Sequence, residues 1–304
     1  MSDFYLAPGS PVDDSDYMVT ATALGGKVRA LAVRSTKLVQ EAFRIHKTSP
    51  VATAALGRFL TGTLFLADTL KGENDSLTTN LRSDGPLQGM TAVADSHGHV
   101  RGYCLEPVVE TTYHRPGKLN VGAAVGKGKL TVVKDFGLKE PYVGQVELVS
   151  GEIAEDFTYY LASSEQTPSI VSLGVGLNSS GVTCAGGFMV QLLPGADEET
   201  ISYLEKRVGG GFPDVTFLLQ EGMNPEKILD MFLGDESICF LQGRPVSYQC
   251  NCSRERMERN LMAIGRNDLE ELAGDPNGID LECHFCDQKY HFAQEDVKAL
   301  LDAK

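Results

Sequence analysis

Apolar positions in the first two-thirds of the chain switch between two periods. Residues 27–33 (KVRALAV) read as a strand. From 36 to 46, Leu38, Val39, Ala42, Phe43 and Ile45 fall at helical spacing. Ser49-Pro50 punctuates, and a second helix is predicted from there to Leu70. Beyond Lys71-Gly72, short β-type segments are separated by turn chemistry at Asp84-Gly85-Pro86, His97-Gly98-His99 and Gly126-Lys127-Gly128. The segments 89–95, 100–105, 129–134 and 145–149 would build antiparallel sheets. Residues 152–163 read as a helix, and 182–193 as the final strand, ending at Pro194-Gly195. The expected class is α+β, with an α/β sandwich-like core domain over residues 1–195.

From 196 to 244 the pattern changes to short helices. Asp197 can cap one that carries Ile201, Leu204 and Val208 and stops at Gly209-Gly210-Gly211. Asn224-Pro225 starts another, with Ile228, Leu229, Phe232 and Leu233 apolar and Gly234 at its end. Such helices are too short to stand alone in water. With ten acidic and four basic residues the segment reads as a metastable helical linker, or equally as an ordinary helical subdomain. Residues 245–304 would form a small C-terminal module.

Charge and apolar content narrow the classes. Of 304 residues, 42% are hydrophobic, enough for a sizeable core, and the formal net charge is -14. A polyanion is repelled by nucleic-acid backbones and by anionic membranes, so the expected partners are proteins or small molecules. The first 15 residues are polar and acidic, unlike a secretory signal. The most apolar stretch, 51–70, contains Arg58 and Asp68 and reads as a buried helix rather than a membrane span. A cytoplasmic protein is expected, in which clustered cysteines are metal ligands or redox centres more often than structural disulfides.

The seven cysteines are unevenly placed. Cys104, Cys184 and Cys239 lie singly and are expected to be small buried hydrophobes. The other four form two short pairs, Cys250-Asn251-Cys252 and Cys283-His284-Phe285-Cys286, 30 residues apart. Zinc takes four soft ligands at tetrahedral corners, which two such pairs supply when brought together. The second pair sits in a segment, 281–292, that reads as a hairpin knuckle with a turn at Asp287-Gln288. The first precedes Ser253, a fair N-cap for a helix bearing Met257, Leu261 and Ile264. His284 and His291 are kept as spacer or surface residues, because four thiolates already complete the set. Four protein ligands leave no open position for water, which argues for a structural rather than a catalytic zinc. Zinc thiolates remain nucleophilic, so an oxidant can turn close pairs into disulfides and expel the metal. On spacing alone, an inert structural zinc is the favoured reading.

At these residues the chain resembles the 33 kDa heat-shock chaperones, a family of redox-regulated bacterial holdases. The resemblance rests on Cys250-Asn251-Cys252-Ser253-Arg254-Glu255-Arg256, and on Cys283-His284-Phe285-Cys286 followed by Tyr290 and Phe292. It extends to residues 159–169 (YYLASSEQTPS), 186–191 (GGFMVQ) and 98–102 (GHVRG). It implies a reduced, zinc-bound off state. Oxidants combined with unfolding stress would form Cys283–Cys286 and Cys250–Cys252 disulfides, and zinc would leave. Module and linker would lose structure, and the protein, as a homodimer, would hold unfolding clients without ATP. No P-loop is present in the sequence, which fits holding rather than active refolding.

Two rival classes fit the sequence less well. A nucleic-acid-binding zinc ribbon is disfavoured by seven basic against twelve acidic residues in 246–304, with Arg254, Arg256 and Arg259 the one basic cluster. An enzyme would need chemistry at His97 and His99, which a hairpin turn explains better, or at Glu165-Gln166, which lack a partnered His or nucleophile elbow. No catalysis is expected.

Overall fold

The computed structural model describes residues 6–115 and 117–303; the first five positions of the acidic N-terminal reading lie outside them. The chain divides into two compact units, Met1–Tyr248 and Gln249–Lys304.

The larger unit opens with β1 (Tyr17–Ala23), β2 (Val28–Arg34), α1 (Thr36–His46) and α2 (Pro50–Ala67). Then come β3 (Ser76–Ser83), β4 (Gly89–Asp95), β5 (His99–Cys104), β6 (Tyr113–Arg115), β7 (Lys118–Leu119) and α3 (Val121–Val125). They are followed by β8 (Gly128–Asp135), β9 (Tyr142–Glu147), α4 (Ala154–Ser163), β10 (Ser169–Asn178) and β11 (Gly181–Leu192). The unit closes with α5 (Glu198–Gly209), α6 (Val215–Gln220), α7 (Pro225–Leu233), β12 (Cys239–Pro245) and β13 (Ser247–Tyr248). Two large sheets result, ordered β10-β11-β2-β1-β12 and β13-β5-β4-β3-β8-β9. The fold is α+β.

Helix α2 packs against strands of both sheets. Pro50 opens it at the first turn, where a missing N–H costs nothing. Every residue from Val51 to Ala67 is buried except Arg58, which the Glu152 carboxylate meets at 2.7 Å. The buried hydroxyls of Thr61 and Thr63 donate back to the Gly57 and Phe59 carbonyls, so the apolar surroundings strand no polar atom there. Gly62 is a packing requirement: a Cβ there would sit 2.7 Å from the Phe157 ring. This is the one helix among the described residues long and apolar enough to span a membrane, and 89% of it is buried inside the protein.

Strands β1 and β2 have apolar neighbours on both faces. Met18, Leu31 and Val33 join the α2 core, while Tyr17, Val19, Ala21, Ala30 and Ala32 join a second core under α5 to α7. That second core centres on Phe188, Phe212 and Phe232, whose rings lie 4.7–5.8 Å apart. Asp197 and Asn224 cap α5 and α7 as the sequence predicts, accepting from the Thr200 and Lys227 amides. The segment 196–244 lies within the larger compact unit, which runs to Tyr248. Burial explains this: Ile228, Leu229, Phe232 and Leu233 are at most 1% exposed.

The strand ending near Pro194 is not the last. Cys239–Pro245 pairs antiparallel with β1 and completes the five-stranded sheet. Asp68, at the end of α2, takes an ion pair from Arg29 of β2 and one at 2.7 Å from Arg244 of β12. Ser247 then donates to the Gly98 carbonyl, as β13 runs parallel to β5. Gly98 has φ +87°, and a Cβ there would meet the Pro245 carbonyl at 2.5 Å.

The smaller unit contains α8 (Arg254–Ala263), α9 (Arg266–Ala273), β14 (Ile279–Glu282), β15 (Lys289–Phe292) and α10 (Gln294–Asp302). Its core is slight: Met257, Leu261, Leu269, Ala273, Cys283, Phe292 and Val297 are buried.

Candidate metal centre

Each cysteine pair is held by a local device. Ser253 caps α8 by accepting from the Arg256 amide, and Arg256 reaches back to Asn251 Oδ1 at 2.6 Å, which fixes the loop carrying Cys250 and Cys252. The second pair follows β14. The Cys283 carbonyl accepts from the Cys286 and Asp287 amides at 3.2 and 2.8 Å, and Asp287 turns with φ +57°. The Cys283 amide donates to the Gln288 carbonyl, closing the knuckle into β15. Asp and Asn tolerate the left-handed region better than other side chains, which suits Asp287 to the turn.

These devices bring all four sulfurs within 4.8 Å of one another. Cys250 Sγ lies 3.7 Å from Cys283 Sγ, and Cys252 Sγ lies 3.4 Å from Cys286 Sγ. Both exceed the roughly 2.05 Å of a disulfide. Four sulfurs at about 2.3 Å from a tetrahedral zinc would lie about 3.8 Å apart, so the donor set and spacing fit a metal ion of that class. Among the described residues this is the one group of three or more His, Cys, Asp or Glu side chains so arranged. His291 instead meets Asp280 at 2.9 Å on the exposed hairpin, and His284 is exposed.

The electrostatics of the thiols are uneven. Burial, with neighbouring thiols, pushes Cys250 up to about 11 and raises Cys286 further. Burial also opposes ionisation of Cys252. There, however, hydrogen bonds from the Tyr290 hydroxyl and the adjacent thiols outweigh it and lower the group. Tyr290 Oη lies 3.1 Å from Cys252 Sγ. In the sequence Tyr290 counts only toward the alternation of the hairpin knuckle and the family motif; its place four residues after Cys286 on that strand is the signal for this contact.

The other candidates resolve differently. Cys104 and Cys184 are buried as expected, and desolvation pushes the Cys104 thiol up to about 12. Cys239 is exposed on edge strand β12, which corrects its reading as a buried hydrophobe. His97 and His99 lie at the β4–β5 hairpin. His99 Nδ1 meets Asp95 Oδ2 at 3.0 Å, and the Asp95 carboxylate also takes the His97 and His99 amides. Glu165 bridges Lys134 at 2.5 Å and accepts from Tyr160, an internal brace. In the basic cluster, Arg254 stacks 4.2 Å over the Phe292 ring and pairs with Asp296, so its charge serves the module's own packing.

Fold and site define a class: an α+β protein with a separate small unit whose four thiols can hold a metal ion. A family model described as Hsp33 protein matches residues 16–293. The chain belongs to the Hsp33 family of chaperones. It is 50% identical over 286 residues to the 33 kDa chaperonin of Ruminiclostridium cellulolyticum, covering 94% of this chain and 98% of that protein. It is 44% identical to the 33 kDa chaperonin of Bacillus cytotoxicus over 94% of this chain and 99% of that one. The crystal structure of the Thermotoga maritima 33 kDa chaperonin superposes with a TM-score of 0.86 at 36% identity, over 95% of this chain and 98% of that one. These relatives are named as chaperonins, not as enzymes.

Proposed function

We propose that this protein is a redox-regulated, ATP-independent holdase of the cytoplasm, kept inactive by zinc on Cys250, Cys252, Cys283 and Cys286. The observation carrying the reading is the convergence of four sulfurs within 4.8 Å in a unit whose own core is seven buried side chains. Bound zinc would keep the sulfurs as thiolates and tie the loop before α8 to the β14–β15 knuckle. Structural zinc contributes roughly 10–16 kcal/mol of apparent binding free energy, against roughly 5–15 kcal/mol for whole-domain stability. The small unit therefore depends on the site.

Oxidation reverses that dependence. One thiolate of a pair takes an oxygen from peroxide and releases hydroxide; its neighbour displaces a second hydroxide from that sulfur. Each peroxide accepts two electrons and, with two protons from solvent, ends as two waters. The resulting Cys250–Cys252 and Cys283–Cys286 bonds would draw together sulfurs that a tetrahedral zinc site holds well beyond bonding distance. Bridging consequently distorts the knuckle that the thiols support. Release of α5 to α7 would then bare the apolar side chains of the second core, including Phe188 and Val190, to unfolding client proteins. The active form is a homodimer in this reading.

Replacing Cys283, the buried member, tests the ligand set. Cys283→Ser should lose tight zinc binding and leave residues 249–304 without stable structure by NMR or circular dichroism. Unchanged zinc content in that variant would refute the assignment.

A further inference from the structure

Cys252 takes a hydrogen bond from a side chain, the Tyr290 hydroxyl at 3.1 Å. The ring's place on β15 is set by the ladder to Leu281 of β14, so the oxygen can be deleted without removing what holds the strand. Cys252 is only half-buried while Cys283 is buried. Exclusion of reagents therefore shields Cys252 less than it shields Cys283.

We infer that Tyr290 is a positioning residue for the sulfur chemistry of this centre: its hydroxyl holds Cys252 Sγ as a poor nucleophile and so sets how readily an oxidant opens the 250/252 pair. The inference rests on the redox reading above. A donor aimed at a thiolate draws on the lone pair that must attack, and charge-assisted bonds of this kind are the strong ones. Partners behind metal ligands tune the ligands in the same way. Nucleophilicity follows sulfur basicity with a slope near 0.4–0.5, so a tenfold loss of basicity slows attack by about threefold.

The step it slows is defined. The Cys252 thiolate attacks one peroxide oxygen; an S–O bond forms, the O–O bond breaks, and hydroxide leaves with the bonding pair. The Cys250 thiolate then attacks the Cys252 sulfur; an S–S bond forms, the S–O bond breaks, and a second hydroxide leaves. Two electrons pass from the sulfurs to peroxide, and two solvent protons convert the hydroxides to water. For the first attack, the Cys252 lone pair must leave the Tyr290 hydrogen bond.

Full-length wild type and Tyr290→Phe, both reduced and zinc-loaded, are exposed to limiting iodoacetamide, and alkylation at each cysteine is followed by peptide mass spectrometry. Cys252 should react about threefold faster in the variant, with Cys286, 3.4 Å from it, as the unchanged internal reference. Equal Cys252 rates in two proteins that each carry one zinc would overturn the role of Tyr290 while sparing the four-thiol site. Uniform acceleration at all four cysteines would also overturn it, by reducing the ring to packing. A wild type that takes up no zinc would bring down the underlying redox reading instead.

Discussion

Asp16 is 5% exposed, with one oxygen capping α1 through the Leu38 amide at 2.7 Å and the other without a hydrogen-bond partner among the described residues. Its backbone carbonyl holds the Val246 amide at 3.1 Å, just before β13. Burial pushes this carboxyl from 3.8 up to about 6, against the pull of the Leu38 and Lys37 amides and the Arg34 and Lys37 charges. The folded state thus binds the proton more tightly than the unfolded chain. Stability from this group is present at low pH and is lost as pH rises from about 4 through about 6. Asp16→Asn should be more stable than wild type at pH 7 by up to roughly 3 kcal/mol, at 1.36 kcal/mol per unit. That gap should close toward pH 4. Parallel stability curves for the two proteins across this range, measured by denaturant titration, would contradict the argument. Single residues also mark where the sequence was readable. Pair spacing pointed to the four thiols that the fold brings within 4.8 Å of one another. It could not reveal that Cys239 is exposed, since that depends on how strands align.

Among elements, α1, β4 and the Asp197, Asn224 and Ser253 caps stand where periodicity and capping chemistry put them. Strand β1 was not legible although its burial alternates from Val19 to Ala23, because the small Ala and Thr side chains of that stretch carry a weak apolar signal. Strand β12 hides for the opposite reason. It is a largely exposed edge carrying Gly243 and Pro245, and only its partner defines it. The acidic segment before β12 reads as a loose linker by composition, yet α7 is riveted by Glu226. That carboxylate is fully buried and accepts from the Ala7 amide, Ser10 Oγ and Tyr17 Oη at 3.2, 2.7 and 2.7 Å. Glu226→Ala should cost about 3 kcal/mol or more, since it strands buried donors. Its amides in α7 and β1 should exchange hydrogen much faster than in wild type. Unaltered exchange in both elements would show that Glu226 does not anchor the helix.

On the scale of the molecule, the two units differ in what stabilises them. Residues 1–248 bury two extensive apolar cores, whereas residues 249–304 bury seven side chains around four sulfurs. Length and cysteine placement in the sequence point to the same asymmetry. In the redox reading proposed above, oxidants would act on the smaller unit because its slight core is built around the four thiols. The direct test follows zinc content, free thiols and suppression of client aggregation on one sample before and after peroxide with mild heat. The account predicts one zinc, reduced thiols and little suppression beforehand. Afterwards it predicts zinc loss, four fewer free thiols and strong suppression without ATP. Equally strong suppression by the reduced, zinc-loaded protein would contradict it.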